Sequence, residues 1–258
     1  MQATTDDRHI MNILISGCSF TQWPEFPGGP NLCWPNYLSK LRPTDIITNV
    51  AEAAAGNQYI CDSVVRSILE KPDHYEHVLV MWSGVSRLDF LTNVGDPNWS
   101  ELLDTYGFYR RLDGSKLAWI FSGGQLGTWF KNPVAHTMFY EMYKVSNELT
   151  LAYTNLMEIV KLQNFLISKG IKFNFMSYVN YWNAQDQVSP NGDFGIYKYP
   201  ELKELVREIQ FDNWIFKNSN KDGLYELAKE LGSFQPDGFH PGADAYTKWA
   251  EIINSVLQ

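Results

Sequence analysis

The sequence predicts an α/β fold: a flavodoxin-like three-layer α/β/α sandwich on a mainly parallel sheet. Three observations predict it. Four short apolar runs, at 12–16, 45–50, 77–82 and 171–179, are continuous rather than alternating, as strands buried on both faces are. Stretches of helical period separate them, so strand and helix alternate along the chain. Glycine or proline punctuates the joins.

The first strand, 12–16 (Asn-Ile-Leu-Ile-Ser), stops at Gly17. The second, 45–50, is rich in β-branched residues. Apolar residues at Ile60, Val64, Ile68 and Leu69 mark a helix over 57–70, which Pro72 ends. Strand 77–82 follows. One long periodic helix is expected over 141–169, stopped by Gly170, before strand 171–179. Helices over 223–231 and 243–257 complete the alternation.

Two regions break this rhythm. Residues 91–135 and 180–200 are rich in Gly, Pro, Asn and aromatics without a period, and read as insertions over the carboxyl edge of the sheet within a single domain, 1–258. The insertions carry Trp99, Tyr106, Phe108, Tyr109, Trp119, Phe121, Trp129, Phe130, Tyr181 and Trp182. Aromatic faces can stack on sugar rings, but most of these rings are expected to pack the insertions down.

Composition narrows the function. The chain has 258 residues, 45% hydrophobic and 19% charged, which is ordinary globular usage. The net charge is −8, and the only adjacent basic pair is Arg110-Arg111, so no nucleic-acid partner is expected. The apolar runs are too short for a membrane span. The polar start, with Asp6, Asp7, Arg8 and His9, lacks an export signal, so the expected location is cytoplasmic. Cys18, Cys33 and Cys61 read as reduced thiols, one disulfide with one free thiol remaining open. His74 and His77, beside Asp73 and Glu76, lack a third ligand and read as a solvated loop, so no metal is expected. The glycine-rich run 122–127 lacks the lysine and hydroxyl residue of a phosphate loop.

Two motifs carry chemistry. Gly17-Cys18-Ser19-Phe20-Thr21 directly follows the first strand. Ligands sit beyond the carboxyl ends of parallel strands, so Ser19 faces the crevice from a rigid support. The same residues would also suit a serine helix cap. Asp237-Gly238-Phe239-His240-Pro241 lies just before the last helix. A tight turn there brings the carboxylate to one imidazole nitrogen and leaves the other to take a proton from a serine. An Asp-Gly turn leading into a helix is the plainer reading.

Together the two blocks resemble those of the SGNH hydrolases, also called GDSL-type esterases. That family has Gly-Asp-Ser-[Leu/Phe]-[Ser/Thr] after the first strand and Asp-x-x-His before the last helix. The resemblance spans nearly the whole chain and implies Ser19 as nucleophile, His240 as base and Asp237 as its orienter, with no cofactor. It implies an oxyanion hole from the amides of Ser19 and Gly56, with Asn57 or Ser86 adding a side chain. The third block departs from the family's Gly-x-Asn-Asp: in Gly84-Val85-Ser86-Arg87, Ser86 stands for the asparagine and Arg87 for the aspartate. Cys18 replaces the first block's aspartate and is a rival nucleophile. Trp82, Arg87, Trp129 and Trp182 are candidate substrate contacts.

The expected activity is hydrolysis of a small acyl ester, such as an acetyl ester on a carbohydrate. The altered third block keeps two alternatives open: a glycan-binding or virion-associated protein that has the fold without turnover, and an acyltransferase. The short first block is similar to that of hydrolase-like proteins in phage and environmental bacterial genomes.

Overall fold

A computed structural model describes residues 9–22, 33–93, 109–112, 115–122, 133–190 and 192–257. Along the chain lie β1 (Asn12–Gly17), α1 (Trp34–Leu41), β2 (Ile46–Asn49), α2 (Asn57–Glu70), β3 (His77–Trp82), β4 (Asp89–Asn93), β5 (Tyr109–Arg111) and β6 (Leu117–Phe121). There follow α3 (Pro133–Val145), α4 (Glu148–Lys169), β7 (Lys172–Ser177), α5 (Lys203–Arg207), α6 (Leu224–Leu231) and α7 (Ala243–Val256).

The main sheet is parallel, in the order β2-β1-β3-β7. Continuous apolar runs form its centre because both faces are covered. All six residues of β3 are buried, whereas edge strand β2 is exposed at both ends. Helices α1 and α6 pack on α7, and α2 packs on α4, giving the flanking layers of an α/β fold. From β1 the chain moves to β2 on one side and then crosses to β3 on the other. The strand order therefore reverses between β1 and β3, and in open parallel sheets the place beyond the carboxyl ends at such a reversal is where ligands bind.

The helix expected over 141–169 is two helices. Asn147 interrupts it: its side chain accepts from the Thr150 amide at 2.8 Å and starts α4 as an N-cap. Gly170, with φ +65°, ends α4 in the left-handed region as expected. The segment expected to be aperiodic contains a second, antiparallel sheet in the order β4-β6-β5. Its rings pack on α2: Tyr59 lies 5.0 Å from Phe121 and 6.2 Å from Trp119, whose indole donates to Asp62 at 3.0 Å. Trp99, Tyr106, Phe108, Trp129, Phe130 and the run 123–127 lie outside the described residues, as does the side chain of Tyr109.

His77, expected on a solvated loop, is buried at the start of β3 and bonds Asn174 at 2.9 Å. The three cysteines are buried and none of them forms a disulfide. None of the described helices is long and apolar enough to cross a membrane.

Candidate active site

The first block forms a single tight turn off β1. The amides of Thr21 and Gln22 both donate to the Cys18 carbonyl, at 2.8 and 2.9 Å. Only glycine fits at 17, since a Cβ there would overlap Thr21 Oγ1 and sit 3.1 Å from the Met81 carbonyl. The turn leaves Cys18 fully buried in the core, so its thiol is not presented to the crevice. Ser19, 5% exposed, is the residue that faces the last block.

That block folds back on itself. Gly238 takes φ +70°, a conformation side chains rarely adopt, and its amide bonds the Gln235 carbonyl at 2.9 Å. The carboxylate of Asp237 then turns onto its own successors. Oδ1 accepts from the amides of Phe239 and His240, both at 2.9 Å, and Oδ2 meets His240 Nδ1 at 2.6 Å. His240 Nε2 lies 3.0 Å from Ser19 Oγ, across a sequence separation of 221. The structure thus joins Ser19, His240 and Asp237 in one hydrogen-bonded line.

Electrostatics favours the neutral imidazole. Burial lowers the His240 pKa to about 4; Asp237 opposes that shift and the nearby Arg87 charge adds to it. Burial works against ionisation of Asp237, yet the two backbone amides and the imidazole hold its carboxyl below the usual range. A neutral His240 beside an ionised Asp237 can accept a proton at Nε2 and have the resulting charge stabilised.

Three of the expected oxyanion donors are engaged elsewhere. The Gly56 amide donates to Asp89 Oδ1 at 2.9 Å, and Asp89 Oδ2 takes the Tyr59 amide at 3.1 Å. Asp89 thereby caps α2 from outside the helix. The side chain of Asn57 bridges α2 to the end of β3: Nδ2 donates to the Ser83 carbonyl at 3.2 Å and to Asn155 Oδ1 at 2.6 Å, while Oδ1 accepts from the Ser83 amide. Both of its amide protons are used. Ser86 donates its amide and its hydroxyl to Asp193 Oδ1, at 3.2 and 2.8 Å. Gly56, Asn57 and Ser86 are therefore structural in this geometry. The Ser19 amide has no acceptor among the described residues.

The candidate substrate contacts divide. Trp82 is fully buried and packs edge-on against Phe175 at 5.3 Å. Trp182, 4% exposed, sits between Phe211 at 4.9 Å and Trp214 at 5.1 Å. Both belong to the core: Trp82 ends the buried central strand β3, and Trp182 is enclosed by the rings of Phe211 and Trp214. Trp129 lies outside the described residues. Arg87 is buried beside the site, with Nη1 donating to the Ala55 carbonyl at 2.9 Å.

Asp193 was not legible in the sequence. It is 1% exposed and accepts from Ser86, Tyr178 and Ser189, pinning the 180–200 segment to the loop after β3. Gly84 gives it room, since a Cβ there would overlap the carboxylate. The local sequence around Asp193 gave no sign of so distant a partner.

No protein-family model matches the sequence, and no curated protein matches it. Among solved structures, the chain is similar to a catalytic mutant of an acetylxylan esterase from Geobacillus stearothermophilus, at 10% identity and TM-score 0.48, covering 95% of this chain and 93% of that one. It is also similar to a member of the lipolytic protein G-D-S-L family from Veillonella parvula, at 12% identity and TM-score 0.47, covering 95% and 97%. A psychrotrophic esterase from a Pseudoalteromonas species gives 11% identity and TM-score 0.46, covering 95% and 96%. Likenesses this distant carry no weight for activity. In the order of its first and last motif blocks, the chain is similar to the SGNH hydrolases.

Proposed function

We propose that this protein is a serine esterase of the SGNH type that hydrolyses a small acyl ester. The observation that carries the proposal is the unbroken line from Ser19 Oγ through His240 to Asp237, with contacts of 3.0 and 2.6 Å. Ser19 Oγ attacks the ester carbonyl carbon, and its proton passes to His240 Nε2. The carbonyl π pair moves onto oxygen. That pair then re-forms the double bond, the carbon–oxygen bond to the alcohol breaks, and His240 returns its proton to the leaving oxygen. Water repeats the sequence on the acyl-enzyme and releases the acid. Asp237 holds the imidazole and its transient charge throughout.

An acetyl ester on a carbohydrate is the substrate we favour, by the motif resemblance. Trp119, Phe121, Tyr181 and Trp182 of the insertions pack inward, so none of these four rings supports sugar stacking. The engagement of Gly56, Asn57 and Ser86 favours a second reading, a binding module without turnover, because losing one oxyanion donor costs roughly a hundred- to a thousandfold in rate.

Hydrolysis of p-nitrophenyl acetate and of acetylated xylo-oligosaccharides tests the proposal, with Ser19→Ala alongside. Turnover by wild type that Ser19→Ala abolishes is expected. No turnover of either substrate by folded wild type would leave the binding module as the better reading. Turnover of the aryl ester alone would remove the carbohydrate from the proposal.

A further inference from the structure

We infer that Arg87 is the oxyanion-stabilising residue of this site, its guanidinium standing in for the neutral donors that Gly56, Asn57 and Ser86 do not supply. The inference rests on Ser19 being the nucleophile. Arg87 follows β3 and Ser19 follows β1, so they flank the point where the strand order reverses. Arg87 Nη1 is fixed to the carbonyl of Ala55, the residue before Gly56, which places the guanidinium at the start of α2. The groups that act on its charge are Cys18, Tyr178, Asp193 and Asp89, and its own charge acts on His240. Cys18 precedes Ser19 in the chain, and Tyr178 lies 4.5 Å from Phe20, which follows it.

The hydrogen bonding leaves the guanidinium with donors to spare. It carries five N–H groups. Among the described residues only Ala55 accepts from it. Arg87 is 5% exposed, so the guanidinium is enclosed beside the site, and no described residue accepts from its other N–H groups. A buried cation needs compensating charge. Asp193 and Asp89 both act on it, Asp89 only in part because burial raises its carboxyl to about 7, and neither accepts a hydrogen bond from Arg87. Asp89 is occupied by the Gly56 and Tyr59 amides, and Asp193 by Ser86, Tyr178 and Ser189. Among the described residues, none takes the remaining donors of Arg87.

This arrangement suits an anionic oxygen that forms only during reaction. When Ser19 Oγ bonds to the acyl carbon, the carbonyl oxygen takes the π pair, and the guanidinium and the Ser19 amide donate to it. Arg87 transfers no proton, since a guanidinium stays protonated. The forked donor holds a tetrahedral oxyanion better than it holds the planar ester.

The test compares wild type, Arg87→Gln and Arg87→Lys with p-nitrophenyl acetate as substrate and phenylboronic acid as inhibitor. The boronic acid adds to a serine hydroxyl to give a tetrahedral anion. Arg87→Gln is expected to lower kcat by about a hundredfold or more with KM within about threefold, and to weaken boronate inhibition by a similar factor. Arg87→Lys, which keeps a point charge without the fork, falls between. The acid limb of the pH profile moves upward in Arg87→Gln, because a positive charge no longer opposes protonation of His240. Melting temperature and circular dichroism identify folded variants; if Arg87→Gln does not fold, Arg87→Lys carries the comparison. A folded variant with wild-type kcat and boronate affinity would overturn the inference. So would a variant whose KM rises while kcat and boronate affinity hold, which would make Arg87 an anchor for the substrate's ground state. Failure of the Ser19 reading looks different: wild type itself resists boronate, and Ser19→Ala turns over as fast as wild type.

Discussion

His240 is enclosed by rings, with Phe239 at 5.1 Å and Phe20 at 5.3 Å, and this apolar shell sets its protonation. With a pKa lowered to about 4, the imidazole is a ready base across the neutral and mildly acidic range. The kcat/KM profile is therefore expected to stay level down to about pH 5 and fall below that, rather than break near 6.5 as an ordinary histidine would. A break near 6.5 in a pH series on the free enzyme would contradict the burial argument. Asp237→Asn keeps the shape of the turn but loses the carboxylate charge, and is expected to lower kcat by roughly three to four orders of magnitude with the fold intact. Steady-state kinetics beside a melting curve measure both. The hydrogen-bonded line of Ser19, His240 and Asp237 was legible because each motif is compact: Asp237 and His240 meet within one turn, and Ser19 sits at a strand exit. The engagement of the expected oxyanion donors was not legible. Gly56, Asn57 and Ser86 were taken up by Asp89, Asn155 and Asp193, at separations of 33, 98 and 107 residues, and no local pattern announces such partners.

Among the elements, strands and helices with a single dominant signal were foreseen almost to the residue, as β3 and α2 show. The joint between α3 and α4 was not. An apolar period runs across it, while the break depends on one side chain, Asn147, bonding the Thr150 amide and hydroxyl at 2.8 and 3.0 Å. Asn147→Ala is expected to cost about 1 kcal/mol, read from denaturant midpoints, with turnover unchanged. The β4-β6-β5 sheet was hidden because its strands are short and separated by Gly-, Pro- and Asn-rich stretches. Its hold on α2 is through aromatic faces and the Trp119 to Asp62 bond. Trp119→Phe keeps most of the packing and loses that bond, so a loss of about 1 kcal/mol is expected, with kcat unaffected. A large fall in kcat at full folding would instead place this sheet in the reaction.

Across the whole molecule, the reversal of strand order between β1 and β3 lets residues far apart in sequence converge at one crevice. Stability and reactivity are linked there through His240. Its pKa is about 4 in the fold and near 6.5 in the unfolded chain, so below 6.5 the unfolded state binds the proton first. The stability that neutral His240 allows is present above pH 6.5 and is lost as the pH falls through 4. His240→Gln carries no such loss, so its stability relative to wild type should improve by a few kcal/mol between pH 6.5 and 4. Denaturant unfolding of both proteins at the two pH values measures this, and a constant difference would contradict it. The α/β class was visible in the sequence because four buried strands leave continuous apolar runs. The reach of the 180–200 segment back to Ser86 through Asp193 is a tertiary contact with no such trace.

The central claim is that Ser19 is an activated nucleophile. Its most direct test is labelling with a fluorophosphonate probe, comparing wild type with Ser19→Ala by intact mass. One adduct on wild type and none on folded Ser19→Ala is the predicted result. No adduct on folded wild type, or the same adduct on both proteins, would contradict the account.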